Sequence, residues 1–121
     1  MGVGYKLYRL IKAHAPRDWT SGELVVALMI ADDANDDTRL SYMTPQALAG
    51  DCRMSIRGVR DNLQKLAGKG FEFRAIKGRD RHGNAMYAVK GNDVQYQVPD
   101  IFGRLARAAQ VAHGLVDNRS P

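Results

Sequence analysis

The chain has 121 residues, 45% of them apolar, with 18 Lys and Arg against 13 Asp and Glu, a net charge of +5 and a pI near 9.6. That length suits one domain with a core of its own, and the basic balance favours an anionic partner. A single cysteine, Cys52, excludes an internal disulfide and a cysteine-based zinc site, residues 24–31 are too short an apolar run to span a bilayer, and residues 1–15 lack the apolar core and cleavage site of a signal peptide, so a cytoplasmic protein is expected.

Residues 3–15 read as a helix. Val3, Leu7, Leu10, Ile11 and His14 share one side, while Lys6, Arg9 and Lys12 share another that is read as solvated. Pro16 ends it. Trp19 is expected to pack at the junction with the next helix, which starts at the capping box Thr20-Ser21-Gly22-Glu23. Leu24, Leu28 and Ile30 or Ala31 carry that helix to about Asp33. Residues 34–39 are a turn by composition. Asp33, Asn35 and Asp37 occupy the first, third and fifth places of a calcium loop, but its glycine and terminal glutamate are replaced by Thr38 and Thr44, so a plain turn is the reading. Residues 40–43 are expected to form a short strand.

Residues 44–70 read as two helices joined by a tight turn. Thr44 is an N-cap and Pro45 suits the first helical position. Ala47, Leu48 and Ala49 give a small apolar face, residues 50–54 are the break, and Ser55 caps the second helix. There Ile56, Val59, Leu63 and Leu66 have the spacing of a buried stripe. Arg57, Asp61, Gln64 and Lys65 lie opposite, with Arg60 on the flank, and Gly68 and Gly70 mark the end. Residues 71–77 and 85–90 are rich in aromatic and branched side chains and are expected to form a β-hairpin around the turn 78–84, which carries Arg79 and Arg81 at its tip. Residues 91–99 form a connector with an extended piece at 94–98. Asp100 is expected to cap a last amphipathic helix with Ile101, Leu105, Ala108, Ala112 and Leu115 or Val116 on its stripe, and residues 117–121 form a tail.

Charge is unevenly placed. Between Arg53 and Arg81 nine basic residues face three acids, a local net charge of +6, whereas between Asp18 and Asp37 there are six acids and no Lys or Arg. The positive end coincides with the two-helix unit. A short helix, a turn and a helix with a polar, basic outer face form the helix-turn-helix pattern, whose second helix fits a major groove. A basic hairpin immediately after it reads as a wing, so the expected fold class is α+β, a winged helix-turn-helix over residues 1–99 with an extra terminal helix at 100–121.

At Ala34-Asn35-Asp36-Asp37, then Thr44-Pro45-Gln46-Ala47-Leu48-Ala49, then Ser55-Ile56-Arg57-Gly58-Val59-Arg60, the chain resembles the winged helix-turn-helix domains of phage, plasmid and actinobacterial DNA-binding proteins. Gln46 stands where that group usually has Ser, and Ile56 and Gly58 depart from its basic and Thr positions. The resemblance covers residues 24–73 and implies DNA binding by a transcription regulator or a replication or partition protein.

The function expected is sequence-specific binding of double-stranded DNA through residues 55–69 and a basic wing at 77–84, as a homodimer joined through the terminal helix with help from the first. Arg57, Arg60 and Gln64 are the candidates for base edges. Asp61 is expected either to accept from a cytosine amino group or to orient Arg57 or Lys65. Thr44, Gln46 and Ser55 lie at the helix starts, where hydroxyls and amides meet phosphates. Lys65, Lys69, Lys77, Arg79 and Arg81 are the expected backbone contacts. His14, His82, His113 and Cys52 have no partner at catalytic or metal spacing, and no glycine-rich phosphate loop is present. Neither an enzyme nor a cofactor, metal, membrane or small-molecule ligand is expected; the competing reading is a protein-interaction adaptor.

Overall fold

The computed structural model describes residues 5–87 and 94–100. In chain order these form α1 (Tyr5–His14), α2 (Ser21–Asp33), β1 (Leu40–Ser41), α3 (Pro45–Cys52), α4 (Ile56–Gly68), β2 (Ile76–Arg79), β3 (Ala85–Tyr87) and β4 (Tyr96–Gln97). The described residues thus make an α+β arrangement of four helices and two small antiparallel sheets. Val3, the last residues of the expected hairpin and the terminal helix expected after Asp100 lie outside the described residues.

Side-chain caps set the helix starts where the sequence places them. The Glu23 amide donates to Thr20 Oγ1 at 3.2 Å and the Thr20 amide donates back to Glu23 Oε1 at 2.8 Å, a complete capping box. Thr44 Oγ1 accepts from the Ala47 amide and Ser55 Oγ from the Gly58 amide, so each cap satisfies one of the free N–H groups at its helix start. After α4, Gly70 takes φ +96°, which lets the Phe71 amide reach back to the Leu66 carbonyl and close the helix end. Between α3 and α4 that left-handed role falls to Arg53, at φ 59°. A non-glycine residue is strained there, so Arg53→Gly is expected to raise stability by about 0.5–1 kcal/mol in urea unfolding; a loss instead would mean that the arginine side chain stabilises the turn.

The core lies among α1, α2, α3 and α4. Leu7 and Ile11 come from α1, Leu48, Ala49 and Cys52 from α3, and Val59, Leu63 and Leu66 from α4. On α2 the structure corrects the expected phase. Its buried face is Glu23, Val26, Ala27, Ile30 and Ala31, and the expected stripe residues Leu24 and Leu28 are only half-buried. The helix is apolar nearly all round, so apolar spacing gave no unique face. Trp19 is buried as expected, edge-on to Phe71 at 5.0 Å and to Phe73 at 6.2 Å.

The strands also differ from expectation. β2 and β3 pair as Ile76↔Tyr87, Gly78↔Met86 and Arg79↔Ala85, with a bulge at residue 77. Residues 71–75 do not join that ladder. They meet the segment 94–98, through an Arg74↔Tyr96 bridge, the Ala75 amide on the Gln95 carbonyl and the Gln97 amide on the Phe73 carbonyl. β4 pairs on its other side with β1, Leu40↔Gln97 and Ser41↔Tyr96. The extended piece expected at 94–98 is therefore a middle strand that ties the hairpin base to the segment before α3.

In the acidic turn three side chains hold backbone or hydroxyl groups. Asn35 Oδ1 accepts from the amides of Asp37 and Thr38, Asp33 accepts from the Ser41 hydroxyl, and Asp36 accepts from the Leu7 amide. Among the described residues no His, Cys, Asp or Glu cluster has the makings of a metal site, and no helix is long and apolar enough to cross a membrane.

Candidate functional site

On α4, Val59, Leu63 and Leu66 face the core. At 100° per residue, Arg57, Asp61, Gln64 and Lys65 then point outward, and all four are exposed. Arg60 is exposed on the flank towards the hairpin. Asp61 makes no ion pair with Arg57 or Lys65 among the described residues. Thr44, Gln46 and Ser55 are exposed at the starts of the two helices. Their elements are held together by the α3–α4 packing and by the turn hydrogen bond from the Met54 amide to the Ala49 carbonyl.

The hairpin tip is built around Asp80. Its carboxylate accepts from the amides of His82 and Asn84 and from Asn84 Nδ2, while its own amide donates to the Asn84 carbonyl. The Asn84 amide is the main reason that the Asp80 carboxyl sits below its ordinary value. Arg79 Nη1 donates to the Gly83 carbonyl at 3.1 Å, and Arg81 is exposed on the turn. The tip therefore presents two cations on a fixed loop. The Lys77 side chain lies outside the described residues.

Of the basic residues between Arg53 and Arg81, Lys69 and Arg74 are already paired. Lys69, expected on a phosphate backbone, instead donates to Glu23 Oε1 at 2.7 Å and to the Asp18 carbonyl at 2.8 Å. Arg74 grips the Glu72 carboxylate through Nε at 2.9 Å and Nη2 at 2.8 Å, and lies 4.4 Å over the Tyr87 ring. The Tyr87 hydroxyl donates to the same carboxylate. Burial by itself would raise the Glu72 carboxyl, but the Arg74 and Tyr87 hydrogen bonds outweigh it and hold the group below its ordinary value. This Glu72–Arg74–Tyr87 cluster was not anticipated from the sequence. The signal available was the Glu72 and Arg74 spacing, which puts both on one face of an extended segment.

No family model, curated protein or solved structure matches this chain. Its chemistry is left to the side chains themselves. Cys52 is buried in α3, and burial, with Asp51 adding to it, pushes the thiol up to about 11. It stays a protonated thiol near neutral pH, unsuited to nucleophilic work. Among the exposed groups, the donors of hydrogen bonds and positive charge are Arg57, Arg60, Gln64 and Lys65 on α4, Thr44 and Ser55 at the helix starts, and Arg79 and Arg81 at the tip.

Proposed function

We propose that the chain is a winged helix-turn-helix protein that binds double-stranded DNA with sequence selectivity, α4 lying in the major groove and the hairpin tip on the flanking backbone. The observation that carries this reading is the outer face of α4, where Arg57, Arg60, Gln64 and Lys65 stand exposed without a carboxylate partner among the described residues. Guanidinium and amide groups on a helix match the donor and acceptor edges of guanine and adenine. Tip cations supply the sequence-independent part of the affinity. The pairing of α3 and α4 across a short turn supports the same reading. A transcription regulator acting as a homodimer is the role favoured, with replication initiation or partition as the alternative within DNA binding.

The two kinds of contact separate by substitution. Arg57→Ala is expected to cost about 1–3 kcal/mol on the preferred sequence and little on a scrambled duplex, whereas Arg79→Ala should weaken both alike and lower the salt slope by about one ion. Fluorescence anisotropy across a salt series, on the DNA flanking the gene and on a scrambled duplex, measures both. Equal losses for Arg57→Ala on the two duplexes would remove the base-contact assignment. No binding at low salt would remove the DNA reading itself. A second reading, a protein-interaction adaptor, draws on Ile76 and Met86, which leave apolar surface exposed on the hairpin.

A further inference from the structure

A cleft of about 270 Å³ lies between the flank of α4 and the hairpin. Its floor is apolar, made by Ile56, Val59 and Leu63 with the ring of Tyr96, and its rim carries Arg60 and Gln64. On its far wall Arg74 and Tyr87 are both engaged with the Glu72 carboxylate. Arg60 and Gln64 have no hydrogen-bond or ion-pair partner among the described residues. An unpaired guanidinium over an apolar floor suits a ligand with an anionic end and a flat apolar body. Size agrees, since a cavity of about 150 Å³ holds benzene and this one has room for one or two fused rings. Arg60 also reaches the buried Tyr96 electrostatically: burial raises that phenol, and the Arg60 charge opposes the rise.

We infer that this cleft binds a small aromatic carboxylate, its ring on the Val59–Leu63 floor and its carboxylate on Arg60, and that the bound acid displaces DNA. The second half rests on the DNA reading, because Arg60 and Gln64 are two of the three residues assigned to base edges. The acid and the bases then compete for the same donors, so each weakens the other by the same factor.

The test uses 1-naphthoate as the probe and its neutral amide, 1-naphthamide, as the control. In an amide ¹H–¹⁵N titration of the free protein, the acid should shift resonances of Val59, Arg60, Leu63, Gln64 and Tyr96. Its affinity should fall at least tenfold in Arg60→Gln, an exposed position whose change leaves the core intact. The amide should bind at least tenfold more weakly than the acid. Shifts absent, scattered away from the cleft, or equal for acid and amide would overturn the site. In anisotropy, saturating 1-naphthoate should weaken DNA binding at least fivefold relative to the same concentration of potassium acetate. Unchanged DNA affinity would overturn the competition. A protein that binds no DNA even in acetate would instead refute the DNA reading, while the titration still decides the site.

Discussion

Lys69→Met is expected to destabilise the chain by about 3 kcal/mol in urea unfolding at neutral pH. The methionine keeps the apolar stem of the lysine and removes only its charge. What remains is Glu23, 1% exposed, with its carboxylate bereft of the ammonium at 2.7 Å. A buried charge that loses its partner costs about 3–5 kcal/mol, and the lower end applies because Lys69 itself is 29% exposed. The pH dependence identifies the cause. In the native chain burial would raise the Glu23 carboxyl, yet the Lys69 and Thr20 hydrogen bonds bring it below its ordinary 4.5. The pair's contribution is therefore complete above about 4.5 and is lost as pH falls through the lower folded value. Without Lys69, burial prevails and the folded value moves above 4.5. The variant then loses stability as pH rises through that region, and its deficit should grow from pH 4 to pH 7. A deficit equal at both pH values would show that the buried carboxylate is not its source.

Phe73→Ala should cost still more, about 4 kcal/mol, the usual scale for a fully buried aromatic truncated to alanine. Phe73 is completely buried, edge-on to Trp19, and its carbonyl accepts the Gln97 amide at 2.9 Å. The residue thus joins the helical core to the strands at a single point. Trp19 is the only tryptophan, so its emission should shift to the red in the folded variant as water gains access. Phe73→Leu, which keeps most of the volume, is expected to cost less than about 1.5 kcal/mol. An alanine variant within 1 kcal/mol of the parent, with unshifted emission, would show that Phe73 is not the joint described.

The helices were legible because their signals are local. Thr20 with Glu23, Thr44 with Pro45, and Ser55 each act within one turn, and the Val59, Leu63 and Leu66 stripe is flanked by polar residues that leave its phase unambiguous. On α2, Val25, Val26, Leu28 and Met29 surround the helix with apolar side chains, and the buried face was decided by neighbours distant in sequence. A hairpin was expected here, but its ladder joins residues 76–79 to 85–87 and leaves 71–75 out. Residues 71–75 have a strand composition, and only the presence of β4 determines that they pair there. The α4 face and the cations at the tip were readable from charge and spacing. That Lys69 and Arg74 are already engaged was not, since the partner of Lys69 is 46 residues away and composition counts every lysine as free.

The middle strand also sets an order in time. As the chain leaves the ribosome, α1 to α4 emerge complete and can pack through contacts of short and moderate range. The carbonyls of Arg39 and Ser41 must wait for the amides of Val98 and Gln95, and the Phe73 carbonyl waits for Gln97. A nascent chain ending before residue 94 thus lacks the middle strand that joins β1 to residues 71–75. The non-local closure of β4 onto β1 and onto residues 71–75 is the slowest to search for.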